Sequence, residues 1–209
     1  MSPRPAIDHI RKPQILRAAA EVITEKGLTA TRIADVAARA GTSAPAVLYW
    51  FESRDQLLTE ALTADEITFA LELERRLEAI PTAAGKLRHL IEASSYDGDL
   101  SLWIELWARS LHDDASAAER QRLDDMWRER IVAVIAEGQA SGEFSAAIAP
   151  ANAALRLSSL IDGLAVQVTL RDREVDADRM AADCIEMAEL MLGADLAVRG
   201  SESGAEAAA

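Results

Sequence analysis

Between Thr31 and Gln56 the apolar positions recur with a helical period in two short runs. Ile33, Val36, Ala37 and Ala40 fall at i, i+3, i+4 and i+7. After Gly41 the spacing restarts at Ala44, Val47, Leu48 and Phe51. Each set forms one face of a short helix, and the local chemistry suits the ends. Thr31 is a candidate N-cap for the first helix, and Gly41 tolerates the positive φ that ends it. Ser43 is a candidate cap for the second, and Pro45 fits a first turn, where no intrahelical donor is needed. Ser53 and Gln56 have the spacing of a capping box for a third helix. Two short amphipathic helices joined by a glycine turn predict a helix-turn-helix, whose second helix enters the DNA major groove. The same spacing also fits an ordinary pair of core helices. Away from its apolar face the second helix carries Pro45, Ala46, Tyr49 and Trp50. Small residues there permit close approach to base edges, and the Tyr49 hydroxyl suits a phosphate oxygen.

Helical patterning continues on both sides. A first helix is expected over Pro13–Lys26, with Ile15, Ala18, Ala19 and Val22 inward and Gly27 closing it. Residues 1–10 read as an arm in which Arg4, with Arg11 and Lys12 just beyond, reaches for phosphates. From Ser53 a helix of roughly 25 residues, close to 40 Å long, runs to Ile80 and stops at Pro81. That length suits an element shared by two domains. Next come a helix over 82–95 with Leu87, Leu90 and Ile91 inward, then a turn at Asp97-Gly98-Asp99. Leu100–Leu111 is apolar nearly all round, so it is expected at the centre of the body. A capping box at Ser116 and Glu119 opens a helix that Ser141-Gly142 ends. Its Arg120, Arg122, Arg128 and Arg130, set among acids, read as a solvated face. Two last helices are expected over Pro150–Thr169 and Asp176–Leu192. Leu157, Ile161, Leu164 and Val168 form a stripe on one, and Met180, Cys184, Met187 and Met191 on the other. With the small residues Ser158, Ser159, Gly163 and Ala188, these stripes suit a four-helix interface between two copies, or a single chain's own core.

The chain has 209 residues and a net charge of −13, which alone argues against a polyanionic partner. The charge is uneven, however. Residues 1–56 hold eight basic and six acidic residues, net +2, and residues 57–209 hold 14 and 29, net −15. One end is thus compatible with DNA, and the body is acidic. No segment has the length of a membrane span or the pattern of a signal peptide. The single cysteine, Cys184, allows no internal disulfide and fits a reducing cytoplasm.

The run from Gly27 to Leu58 resembles the N-terminal domain of TetR-family transcriptional regulators. The resemblance rests on Thr31, Ile33, Asp35, Val36-Ala37, Ala40-Gly41, Ser43, Phe51, Ser53-Arg54 and Leu57-Leu58. Thr42, Leu48 and Trp50 depart from the family pattern. The family's usual Tyr is replaced at Leu48, which transfers its phosphate contact to Tyr49. The resemblance implies an all-α fold of about nine helices. A three-helix DNA-binding head over 1–56 would be followed by a ligand-binding and dimerisation domain over 57–195 and a disordered tail over 196–209. The expected DNA-facing set is Arg32, Thr42, Ser43, Ala44, Pro45, Ala46, Tyr49, Trp50 and Arg54. For Arg54 the alternative is a surface arginine paired with Asp55 or Glu52.

The resemblance also implies an effector pocket. The run SLWIELW, with LIDGLAVQ later, is similar to the betaine/choline-regulator branch. Trp103, Trp107, Trp127, Asp162 and Gln167 are the candidate ligand residues. Tryptophans beside a carboxylate suit an organic cation such as a polyamine or a choline-like compound; plain core packing is the alternative. Catalytic signatures are missing. His9, His89 and His112 have no acidic residue three positions earlier, and there is no phosphate loop, Cys-x-x-Cys or His-Glu-x-x-His. A cofactor, a metal and an enzymatic role are therefore not expected. The expected function is a homodimeric, ligand-responsive regulator of an operator, most simply a repressor. A helical protein–protein adaptor and a small-molecule-binding enzyme are the alternatives.

Overall fold

The computed structural model describes the backbone of residues 5–96 and 100–196, and the side chains of 12–64, 67–96 and 101–196. Among the described residues there are nine helices and no strand. These are α1 (Pro5–Lys26), α2 (Ile33–Arg39), α3 (Ala44–Trp50), α4 (Arg54–Glu78), α5 (Ala83–Tyr96), α6 (Leu100–Ser110), α7 (Asp114–Ser141), α8 (Pro150–Thr169) and α9 (Ala177–Leu192). The expected turn at 97–99 and tail from 197 lie outside the described residues, as do Arg4 and the side chain of Arg11.

Several helix ends differ from expectation. α1 starts at Pro5 and runs through Pro13. Proline suits a first turn, and Pro13 forfeits one intrahelical bond without stopping the helix. Lys12, expected to reach for phosphate, pairs with Glu60 at 2.7 Å and lies over the Phe51 ring. The N-cap of α2 is Arg32, not Thr31. The Thr31 hydroxyl is buried and donates to the Gly27 carbonyl at 2.9 Å, so it closes the preceding loop instead. α7 is capped by Asp113, not Ser116. The Asp113 carboxylate accepts from the Ser116 backbone N–H at 2.8 Å, and a carboxylate satisfies a helix N-terminus better than a hydroxyl. Asp113 accordingly titrates below the usual carboxylate range, chiefly because Ser116 donates to it.

The helices form two units. The first comprises α1 through Glu74 of α4, with α6 and α7 as far as Trp127; the second takes the remainder of α4 and α7, with α5, α8 and α9. In the first unit Ile15, Val22, Val36, Val47, Phe51, Leu57 and Leu58 share one core with Leu102 and Leu106 of α6 and Leu123 of α7. This corrects the expectation that α6 is central to the body: its apolar stripe closes the core of the head.

In the second unit α5, α8 and α9 pack together, with Leu87, Leu90, Leu157, Ile161, Met180 and Cys184 buried. Leu157, Ile161, Met180, Cys184, Ser158 and Ala188 therefore serve the chain's own core. A different set faces outward: Leu155, Ser159 and Gly163 on α8 with Leu170 just past its end, and Met187 and Leu190 on α9. Burial pushes the Cys184 thiol up to about 12, so it stays protonated.

The start of α5 is secured from a distance. Glu143 accepts from the backbone N–H groups of Ala83 and Ala84 at 3.2 and 3.0 Å, and from the Ser141 hydroxyl at 3.0 Å. Donation from Ala84 is the main cause that holds its carboxyl below the usual range. A depressed carboxyl stabilises the fold above its unfolded pKa, and the contribution disappears as pH falls through the folded value. Glu143→Ala should therefore cost about 1 kcal/mol at neutral pH, by analogy with loss of a helix cap. In thermal melts, parent and variant should converge below the ordinary carboxylate range.

Candidate nucleic-acid interface

The helix-turn-helix forms where the spacing places it. Gly41 takes φ +63°, a left-handed conformation that turns the chain between α2 and α3. The Ser43 hydroxyl caps α3 by accepting from the Ala46 N–H at 3.4 Å. Val47 and Phe51 are the inward anchors, 0% and 1% exposed. α1 and α2 are joined by ion pairs. Arg39 bridges to Glu21 at 3.0 Å and Glu25 at 2.6 Å, and Lys26 pairs with Asp35 at 3.0 Å. These partners hold the carboxyls of Glu25 and Asp35 below the usual range.

The exposed face of α3 is not quite the expected one. Tyr49 is 77% exposed and Pro45 lies beside it, as anticipated. Leu48, expected inward, is 48% exposed, because Phe51, just past the helix end, fills the core position. Trp50, expected outward, is half-buried and packs on the head core, edge-on to Tyr49 at 5.5 Å. Ala44 is also half-buried against that core, and Ala46 is half-buried. Thr42 is half-buried and Ser43 exposed at the start of the helix; Arg32 is exposed at the start of α2. Pro45, Leu48 and Tyr49 thus make one outward face at i, i+3 and i+4.

Arg54 is turned into the head. Its guanidinium donates to the carbonyls of Thr31 at 2.8 Å, Leu28 at 2.6 Å and Thr29 at 3.2 Å, and it pairs with Asp55 at 3.3 Å. Asp55 also accepts from Arg109 of α6 at 3.3 Å. Arg109 donates in addition to the Ser116 hydroxyl at 2.8 Å. On the far side of the loop, Glu105 of α6 accepts from the Leu28 N–H at 3.2 Å. Gly27, at φ +77°, leaves room for this: a Cβ there would lie 3.2 Å from the Glu105 oxygen. Sequence reasoning missed Glu105 and Arg109. Their signal was present, because Leu102, Glu105, Leu106 and Arg109 fall at i, i+3, i+4 and i+7, the face of α6 that meets the head.

The expected ligand residues divide between the units. Trp103 and Trp107 approach each other at 6.1 Å, and Trp127 stacks on Phe69 at 6.4 Å, all in the first unit. Trp103 also packs against the head core. Asp162 and Gln167 lie exposed on α8 in the second unit. That unit has its own groove, lined by Thr82, Arg88, His89, Glu92 and Glu143 among others, and none of the five expected residues lines it. Among the described residues no group of acids, histidines and cysteines suits a metal ion, and no helix is long and apolar enough to cross a membrane.

Residues 15–61 match the family model of bacterial regulatory proteins of the TetR family, and residues 84–193 match that of the BetI-type transcriptional repressor C-terminal domain. The chain belongs to the TetR family of transcriptional regulators. The HTH-type transcriptional regulator BetI of Burkholderia ambifaria (strain MC40-6) is 30% identical over 198 residues, covering 88% of this chain and 97% of that one. A transcriptional regulator from Saccharomonospora viridis, solved in complex with choline, superposes with a TM-score of 0.81 at 28% identity. That match covers 88% of this chain and 98% of the other. A TetR-family regulator from Rhodococcus sp. shares the fold, with a TM-score of 0.76 at 24% identity over 87% of this chain and 98% of the other.

In this TetR-family regulator, Arg54→Ala should destabilise the head by about 1.5–3 kcal/mol, the range for hydrogen bonds to charged groups. Because a lysine cannot reproduce the forked geometry, Arg54→Lys should recover less than half of the loss. Thermal melts and amide exchange at Leu28–Thr31 measure both.

Proposed function

We propose that this regulator is a homodimeric repressor that binds an operator through α3 and is released by a choline-like organic cation. The observation that carries the DNA reading is the outward face of Pro45, Leu48 and Tyr49 on a short capped helix, set behind a glycine turn in a TetR-family head. Thr42, Ser43 and Arg32 flank that face and suit phosphate contacts. Arg54 acts as a positioning residue, because its donors are spent on the carbonyls of Leu28, Thr29 and Thr31. The half-buried Ala44, Ala46 and Trp50 set the depth of α3 rather than reading bases.

Dimerisation is assigned to the outward apolar residues of α8 and α9 together with Leu170 at the end of α8; Leu170 and Leu190 are the most exposed of them. A two-fold assembly would present its recognition helices about 34–36 Å apart, one helical turn of DNA. The DNA-binding segment is assigned to residues 1–56 and ligand binding and dimerisation to 57–195, with action in the cytoplasm. For the effector, the tilted Trp103–Trp107 pair offers aromatic faces to a quaternary ammonium, each contact worth about 0.5–2 kcal/mol. Choline bound to the Saccharomonospora viridis relative supports that class. Such a ligand releases DNA only by binding the released form more tightly.

Tyr49→Ala should weaken binding to the DNA upstream of the protein's own gene at least tenfold while leaving the melting curve unchanged. Gel shift measures the first, and sedimentation of the complex should give two subunits per duplex. Parent-like affinity in the variant, or a single bound subunit, removes this reading. Calorimetric titration with choline should give saturable heat that Trp107→Ala abolishes. No heat from the parent would rule choline out as effector and leave the DNA assignment standing.

A further inference from the structure

The outward side of α3 is chemically unusual for a base-reading surface. The helix, APAVLYW, has no charged and no carboxamide side chain. The forked donors that read guanine, and the amides that read adenine, are therefore missing from it. The described cations of the head are largely occupied elsewhere. Lys12 pairs with Glu60, Lys26 with Asp35, and Arg39 with Glu21 and Glu25, while Arg54 is held by loop carbonyls. What α3 presents instead is apolar surface at Pro45 and Leu48, with hydroxyls at Ser43 and Tyr49. Ser43 already serves as the cap of the helix.

An apolar side chain gains from the major groove only where it meets apolar surface. In B-DNA that surface is the C5-methyl group of thymine. We propose that Leu48, seated beside Pro45, is a specificity-determining residue that reads thymine methyl groups in the operator. The inference rests on the DNA-binding reading of α3 and adds the chemical class of base contact. Leu48 is suited to this because its neighbours fix it. Val47 is fully buried behind it, and the Ser43 cap sets the helix start, so its side chain projects from a rigid support. A hydrophobic contact with one methyl group corresponds to about fourfold in affinity. Two recognition helices in a dimer raise this to on the order of 15-fold for a symmetric site.

The test uses the full-length protein and duplexes it selects from a random-sequence pool. Thymines in the bound footprint are replaced one at a time by deoxyuridine, which keeps base pairing and the O4 acceptor but removes the methyl group. The parent should lose about fourfold at one position in each half-site. Leu48→Ala should bind the thymine duplex as weakly as the parent binds the uracil duplex, and should show no further loss with uracil. Leu48→Met, which keeps apolar reach, should retain the discrimination, and Tyr49→Phe should weaken both duplexes alike. Equal binding of thymine and uracil duplexes by the parent overturns the proposal, as does undiminished discrimination in Leu48→Ala. A selected core without thymine overturns it too and leaves the DNA-binding reading intact. Failure to retain any duplex overturns both.

Discussion

One guanidinium ties the head together. Arg54, at the first turn of α4, gathers the carbonyls of Leu28, Thr29 and Thr31. These carbonyls belong to the loop between α1 and α2, where the Leu28 carbonyl also accepts a turn hydrogen bond from the Thr31 N–H at 3.3 Å. An arginine answers them with several donors in one plane, which no other side chain supplies. The position of α2, and through the Gly41 turn that of α3, follows from this loop. Asp55 balances the arginine and at the same time accepts from Arg109, so the first turn of α4 is bonded to α6 as well as to the loop. Glu105 closes the circuit by taking the Leu28 N–H. The orientation of the outward face of α3 is therefore set by polar contacts at some remove from it, laid over a conventional apolar core.

Much of this fold is legible in the sequence, because helix ends are local. Gly41, Ser43, Pro150, Asp176 and the Ser141-Gly142 stop act through their own φ or their own hydrogen bonds, and nothing distant can overrule them. The errors occur where two neighbouring residues compete for one role. Thr31 and Arg32 are adjacent, and the hydroxyl proved more useful inside the loop. Asp113 and Ser116 are three apart, and the carboxylate took the cap. Leu48 fails for a different reason. A helix of seven residues has too few turns for periodicity to separate the centre of an apolar face from its rim. The bulk of Phe51, placed just beyond the helix, decides which side is buried.

The candidate site was harder to read than the fold, since its meaning depends on pairing. Residues 1–56 have a net charge of +2, but the count is silent on which cations are free. In the folded head Arg39 spans two carboxylates and Lys26 takes Asp35, so these charges join α1 to α2 and contribute little to the field outside. The resemblance implies a phosphate contact for Arg54, yet its donors point into the loop. Tyr49 and Pro45 face outward as expected, because exposure on a short amphipathic helix follows from the opposite face being apolar.

α6 brings these strands together. Its Leu102 and Leu106 belong to the apolar core of the head, and Glu105 and Arg109 carry that same face's polar contacts to Leu28 and Asp55. Trp103 and Trp107 occupy the adjoining face, one helical step around. Both contacts, at 3.2 and 3.3 Å, lie at the long end of the hydrogen-bond range. Each such bond is worth about 1 kcal/mol, and coupling energies between sites are typically about 1–3 kcal/mol. Together the two contacts are therefore comparable in size with a typical coupling energy. The apolar residues of that face belong to the core, and its polar residues bond the α1–α2 loop and the first turn of α4, so one helix face holds both parts of the head in place.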